Sequence, residues 1–238
     1  MRLSLLFAAF LSSSCLIWVQ AETQAPAAVR AGEIAEEAIR RADATKLDGW
    51  AFTVTTTEEG KKTVETHDPT APKGQRWKLM LKAGKPPTDK QLKKYAEERR
   101  HGGGKALKLG GLVDKSSLEL AREDSERLTF RFRMKADDEE AKLMAGKIRG
   151  TLVVRRKEPT VESLEIANTE KISKTGVFSL SEFQTRIRFR PAPDRAESLI
   201  ESITARVRGR ALLVKSLDVD SETTFSEFRW VGDPVEAK

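Results

Sequence analysis

A two-residue alternation of apolar and polar side chains runs through the second half of this chain. In 127–135, Leu128, Phe130, Phe132 and Met134 occupy the even positions, and polar or cationic residues occupy the odd ones. Successive side chains of a β-strand point to opposite faces, so this alternation predicts one apolar face and one polar face. An antiparallel sheet with one solvated face has this pattern, whereas the strands of a parallel sheet are unbroken apolar runs.

Other segments carry helical signals. The segment 27–47 has apolar residues near one face of a helix and charged residues around the rest. Thr88 is a suitable N-cap for a helix over 89–100, and 137–146 places its acids at a favourable helix start. The predicted strands cover 50–55, 62–67, 77–81, 117–122, 127–135, 148–156, 161–167, 180–190, 199–209, 211–217 and 223–231. These elements predict an α+β protein with one strongly curved antiparallel sheet, a half-barrel covered by a few helices.

The N-terminal residues have the pattern of a cleaved signal peptide. Arg2 gives a short positive start, an apolar stretch follows, and cleavage is expected between Ala21 and Glu22. The predicted organisation is a signal peptide over 1–21 and a single domain over 22–238. The alternative is a lipoprotein anchored at Cys15, although Ser12 stands where that motif has an aliphatic residue.

The expected location is the bacterial periplasm. The chain has one cysteine, which would be removed with the signal peptide, so the domain must be stable without disulfides. An exported protein of ordinary size without disulfides is typical of that compartment.

No enzyme is predicted from these residues. The chain has two histidines, His67 and His101, and lacks the Gly-x-Ser-x-Gly motif of serine hydrolases. An enzymatic hypothesis would depend on His67 and Asp68 alone, whose place at the end of a predicted hairpin is explained by turn polarity. Two distant histidines, with no cysteine in the predicted domain, cannot form a zinc cage, so neither a metal nor another cofactor is expected.

The apolar face of the predicted sheet is too large to stay in water, so helices must cover it. At roughly 25 cal/mol per Å² of buried apolar surface, this burial dominates stability. Two alternatives remain open: the helices fill the face completely, or they leave a cavity of the size of a lipid chain. The candidate ligand-binding residues on this face are Trp50, Phe52, Trp77, Leu79, Phe130, Phe132, Met134, Leu152, Phe183, Ile187 and Phe189.

The polar face is predicted to carry a group of arginines. Arginine binds phosphate groups bidentately, so one interpretation is docking to phospholipid or lipopolysaccharide. The other is a solvated face with cross-strand charge pairs, which is the favoured interpretation. Nucleic acid is not expected as a partner, because the aromatic side chains that would stack on bases lie on the opposite face. The candidate anion-binding residues are Arg131, Arg133, Arg186, Arg188, Arg206 and Arg208.

The order of these elements resembles the periplasmic lipoprotein-carrier superfamily, the LolA/LolB/RseB-like group. The similarity covers nearly the whole predicted domain: a leading helix before Trp50-Ala51-Phe52, the strand at Trp77, a helix after Pro86-Pro87, and a closing meander over 179–230. The resemblance implies an antiparallel half-barrel with helices over an apolar cavity. It also implies an arginine inside the cavity that holds the helices closed, but the arginines of this chain are predicted on the polar face, so none is assigned that role.

The leading hypothesis is a non-enzymatic, monomeric periplasmic protein that holds a lipid, an acyl chain or a lipoprotein in the apolar concave face. The alternative is an envelope adaptor that binds a protein partner or lipopolysaccharide through the arginine-rich face. Peripheral contact with an anionic membrane surface is compatible with both, because the chain has a formal net charge of +7.

Overall fold

The computed structural model describes residues 27–45, 47–72, 74–101, 108–136, 146–174, 177–193, 195, 197–211 and 215–232. The helices are α1 (Ala27–Ala44), α2 (Asp89–His101) and α3 (Leu109–Leu112), with 3-10 turns at Leu47–Gly49 and Lys115–Ser117. The strands are β1 (Trp50–Glu58), β2 (Lys61–His67), β3 (Trp77–Leu81), β4 (Glu119–Glu123), β5 (Arg127–Arg133), β6 (Ile148–Arg155), β7 (Val161–Asn168), β8 (Ile172–Lys174), β9 (Phe178–Pro191), β10 (Ser198–Ala211) and β11 (Lys215–Trp230). The predicted α+β class is confirmed.

One antiparallel sheet contains all eleven strands of the described part of the chain. Its order is β3-β2-β1-β11-β10-β9-β7-β6-β5-β4, and β8 pairs with β9 beside this path. Because β3 and β4 are not paired with each other, the sheet is open, with these two strands at its edges. Within the described ranges, no helix combines the length and apolar character needed to cross a bilayer.

The strand register places apolar residues in rows across the sheet, as the alternation predicts. One row joins Leu120, Phe130, Leu152, Leu164 and Ile187 on consecutive strands from β4 to β9. All but Leu120 are buried. Since cross-strand neighbours on one face lie about 5 Å apart, each row packs as a continuous apolar ridge.

Helix α1 covers part of this apolar face. It contacts β4, β6, β7 and β10, and its buried residues are Ala31, Ala35, Ala38 and Ile39. The small alanines let the helix axis approach the strands closely. These residues belong to the same buried cluster as Phe130, Phe132 and Leu152, so α1 closes the main core.

The predicted division of 211–231 into two strands is wrong, and β8 was not predicted. The acidic run near Asp218 was expected to separate two strands, but β11 continues through it as a single strand. The reason is charge pairing with β10. Arg206 contacts Asp220 at 3.0 Å, and Arg208 contacts Asp218 at 2.8 Å, in matching register.

Two further expectations concern segments near the helices. The short helix α3 was not predicted, since the glycine-rich sequence of 101–111 indicates a flexible connection. The predicted helix over 137–146, apart from Gly146, and the predicted signal peptide over 1–21 lie outside the described residues.

Candidate functional site

A cavity of about 280 Å³ lies on the apolar face, beside the core that α1 closes. We call it the apolar-face cavity. Six neighbouring strands, β3, β2, β1, β11, β10 and β9, contribute to its lining, together with the end of α1, α2 and the start of α3. The lining residues are Ala42, Thr45, Leu47, Asp48, Phe52, His67, Trp77, Arg99, Lys108, Leu109, Phe189, Ser198, Ile200 and Phe225.

Aromatic rings form one wall of this cavity. The ring of Phe52 lies 5.6 Å from that of Trp77 and 6.1 Å from that of Phe225, measured between ring centroids. Trp77 is at right angles to Phe52, in the edge-to-face arrangement that aromatic quadrupoles favour. These rings give the cavity an apolar surface that can contact a hydrocarbon chain.

His67 is part of the aromatic wall and is only 7% exposed. Its Nδ1–H donates to the carbonyl oxygen of Trp50 at 2.8 Å, and its ring lies within 5 Å of the rings of Phe52 and Trp77. Burial lowers the pKa of His67, because the charged imidazolium would lose its hydration. His67 therefore has the geometry of a buried core histidine whose ring N–H is hydrogen bonded. The carboxylate of Asp68, its chain neighbour, accepts hydrogen bonds from the backbone N–H and the hydroxyl of Thr70.

The lowered pKa of His67 predicts a loss of stability on mild acidification. Its pKa is lower in the folded chain than in the unfolded chain, so the unfolded state takes up a proton first as the pH falls below about 6.5. We expect the free energy of unfolding to fall below that pH, by at most about 1.4 kcal/mol per pH unit from this residue. Urea unfolding at a series of pH values measures this. His67→Gln should flatten the dependence, and an unchanged slope in this variant would contradict the assignment.

Arg99 connects α2 to the cavity wall. Its guanidinium contacts the Glu65 carboxylate of β2 at 2.5 Å, donates to the Tyr95 hydroxyl at 3.2 Å and lies 4.2 Å from the ring centroid of Trp77. Burial and the adjacent Glu65 carboxylate raise the pKa of Tyr95, so its hydroxyl stays protonated. Arg99 therefore supplies a cationic group inside an otherwise aromatic wall.

Lys108 adds a second cation near the start of α3. Its ammonium group donates to the backbone oxygen of Asp43, while the Asp43 carboxylate accepts from the backbone N–H groups of Leu109 and Gly110 at 2.6 and 2.9 Å. The carboxylate thus satisfies the free N–H groups at the start of α3. These contacts tie α3 to the end of α1 and fix Leu109 in the cavity lining.

The predicted ligand-binding residues are distributed over three environments. Phe52, Trp77 and Phe189 line the apolar-face cavity. Trp50 is buried in the neighbouring aromatic cluster, and Leu79 is buried on β3. The remaining residues belong to or pack against the core cluster that α1 closes: Phe130, Phe132, Met134, Leu152, Phe183 and Ile187.

The predicted anion-binding arginines mostly pair with acids. Arg133 contacts Asp114 at 3.6 Å, and Arg186 donates to Glu165 at 2.7 Å. Arg206 and Arg208 pair with the acids of β11. Among the described residues, Arg131 and Arg188 make no ion pair. The six arginines are therefore interleaved with carboxylates rather than gathered into one cationic cluster.

Arg99 and Lys108 are two of the cavity residues that sequence reasoning did not single out. Tyr95 and Arg99 are four residues apart on α2, so they share one face of the helix. That spacing could have indicated which side of α2 meets the sheet. No sequence signal shows that Lys108 reaches the end of α1, because that contact joins residues 65 positions apart.

No metal site is evident in the part of the chain that the structure describes, where no three His, Cys, Asp or Glu side chains come together. Comparison with known proteins gives no match: no family model, no curated protein and no solved structure is similar to this chain.

Proposed function

We propose that this chain is an exported, non-enzymatic binding protein whose apolar-face cavity takes an acyl chain of a lipid or lipidated protein. The observation that carries the proposal is the cavity itself, an apolar pocket left beside a core that is otherwise closed. Ligand pockets are typically concave and mostly apolar, with a few polar groups that orient the ligand. Among the charged residues of the lining, Lys108 fits that orienting role for an anionic head group, whereas Arg99 is already paired with Glu65.

The size of the cavity restricts the ligand. At about 280 Å³ it lies just below the usual range of ligand pockets, which starts at roughly 300 Å³. A segment of one hydrocarbon chain suits this volume better than a lipid with several buried chains. The aromatic and aliphatic residues of the lining suit a methylene chain, while Thr45, Asp48 and Ser198 add polar groups to it.

The proposal includes a curved, half-barrel shape for the sheet. Six adjacent strands line one small cavity, although strands about 4.8 Å apart would span about 24 Å in a flat sheet. Bending explains how β3 and β9 reach the same cavity. An open sheet with a helix on one face and a cavity beneath is also what the resemblance to the lipoprotein-carrier superfamily implies.

The alternative adaptor function is less well supported. It needs guanidinium groups available for an external anion, whereas four of the six predicted arginines pair with carboxylates. Releasing these pairs would expose the acids to the same anion, which would weaken binding by like-charge repulsion.

A cavity-filling substitution tests the proposal. Ala42→Trp places an indole in the cavity lining, so we expect at least a tenfold loss of affinity for a fluorescent fatty-acid probe. The fluorescence of the probe, excited directly so that the tryptophans do not contribute, reports binding. Thr45→Trp is a second filling variant.

Ala121→Trp is the matched control, because Ala121 is exposed on β4, far from the cavity lining. It should bind the probe as the wild type does. Lipid mass spectrometry of the purified protein gives an independent measure. The proposal fails if the wild type carries no lipid and ignores the probe, or if folded Ala42→Trp binds the probe normally.

A further inference from the structure

Two buried polar residues line the apolar-face cavity. His67 is the last residue of β2 and Ser198 is the first residue of β10, and each is only 7% exposed. Across the residues that the structure describes, no other polar or charged residue is buried. Burying a polar group is unfavourable unless it forms a hydrogen bond, so the partners of these two side chains bear on what the cavity can hold.

Each of these residues has a polar atom without a partner in the described part of the chain. Nδ1 of His67 is bonded to Trp50, but Nε2 of His67 and the hydroxyl of Ser198 have no such contact. Among the described side chains, no fully enclosed nitrogen or oxygen lacks a hydrogen bond, so these two atoms are not enclosed by the protein. The open space that both residues line is the apolar-face cavity, and we infer that both atoms face it.

The tautomer of His67 restricts what its free nitrogen can bind. Nδ1 lies 2.8 Å from the carbonyl oxygen of Trp50, and because a carbonyl oxygen only accepts, Nδ1 carries the proton. Burial lowers the pKa of His67, which keeps the ring neutral. Nε2 is therefore an acceptor, and its partner must donate. An ionised carboxylate cannot do so, whereas the hydroxyl of Ser198 can donate or accept and sets no such limit.

Aromatic rings lie on both sides of this acceptor. The ring centroids of Phe52 and Trp77 are 4.9 and 4.8 Å from that of His67. A plain hydrocarbon chain packed against these rings would displace water from Nε2 and leave it unpaired, which weakens binding. A chain with a hydroxyl group avoids this loss, because its O–H donates to Nε2 while its methylene groups contact the rings.

We propose that the apolar-face cavity selects acyl chains that carry a hydroxyl group, which donates a hydrogen bond to Nε2 of His67. This inference rests on the proposed function and specifies the class of its ligand. Strands β1 and β11 lie between β2 and β10, so Ser198 is on the other side of the cavity from His67. Its hydroxyl offers a second hydrogen bond, to a carboxyl or ester oxygen elsewhere on the same ligand.

Two ligands that differ in one hydrogen-bond donor test the inference. n-Decanol and its methyl ether have the same chain and one oxygen each, but only the alcohol donates. Each is titrated against the fluorescent fatty-acid probe on the full chain, purified as the cell processes it. Wild type should bind the alcohol about tenfold more tightly than the ether, because only the alcohol pairs Nε2. Without that hydrogen bond, the more apolar ether should bind at least as tightly.

His67→Asn removes the acceptor but keeps an amide N–H near the position of Nδ1, so this variant can still donate to Trp50. Its preference for the alcohol should disappear. Ser163→Ala is the control, because Ser163 is on β7 outside the cavity lining, and it should keep the wild-type preference. Circular dichroism verifies that each variant is folded, and the comparison of the two ligands on wild type needs no variant.

The outcomes separate this inference from the proposed function. Equal affinities of wild type for the two ligands would mean that Nε2 meets only water, which overturns the inference and leaves the acyl-chain proposal standing. A folded His67→Asn variant that keeps the preference overturns it equally. If wild type does not bind the probe at all, the proposed function fails and the inference fails with it.

Discussion

Gly150→Ala should destabilise the protein by about 3 kcal/mol, because the ring of Phe132 lies directly over this glycine. A Cβ atom at Gly150 would be 2.0 to 2.3 Å from three carbon atoms of that ring. Phe132 is only 1% exposed and pairs with Gly150 across β5 and β6, so the ring cannot move aside. Urea unfolding monitored by circular dichroism gives the change in the free energy of unfolding.

Gly32→Ala is the matched control, since nothing lies within 4 Å of the added Cβ in α1. It should stabilise the protein by about 0.5–1 kcal/mol, because alanine has the higher helix propensity. The double variant Phe132→Leu with Gly150→Ala should recover part of the lost stability, which a double-mutant cycle measures. Equal stabilities of Gly150→Ala and the wild type would contradict the packing described for β5 and β6.

Ala35→Asp should cost more than about 3 kcal/mol, because it places an unpaired carboxylate in the core that α1 closes. Ala35 is fully buried, and it shares one cluster with Phe130, Leu152 and Leu164. The aspartate must either lose its hydration or displace α1 from the sheet. We expect a much lower urea midpoint, and increased binding of a dye that reports exposed apolar surface.

Ala121→Asp adds the same charge at an exposed position of β4 and should leave stability within about 0.5 kcal/mol of wild type. If Ala35→Asp does not accumulate as folded protein, the milder Ala35→Ser should still show a measurable loss. A wild-type urea midpoint for Ala35→Asp would mean that α1 does not cover the core.

Two predictions, the buried side of β5 and part of the aromatic wall, rested on side-chain patterns within single strands. The alternation around Phe130 predicts the side of β5 that is buried, because the two-residue period is a property of the strand alone. The aromatic wall was partly predicted for the same reason, since Phe52 and Trp77 are on the apolar side of their own strands.

Other features depended on partners distant in sequence. The acidic residues around Asp218 look like a turn when only the local sequence is considered, but Arg206 and Arg208 of β10 extend the strand through them. Arg99 enters the cavity wall because Glu65, 34 residues earlier, attracts it. Neither contact has a period or a motif that would show it in advance.

The sequence by itself therefore determined the antiparallel strands, their buried sides and the two longer helices, because these follow from side-chain periodicity within each element. Only the tertiary structure decided how the apolar face is covered. The alanines of α1 fill the region above Phe130 and Leu152, while the region around Phe52 and Trp77 keeps a cavity. Whether a helix fills a face or leaves space depends on side-chain volumes that meet across the core, and those volumes come from residues far apart in the chain.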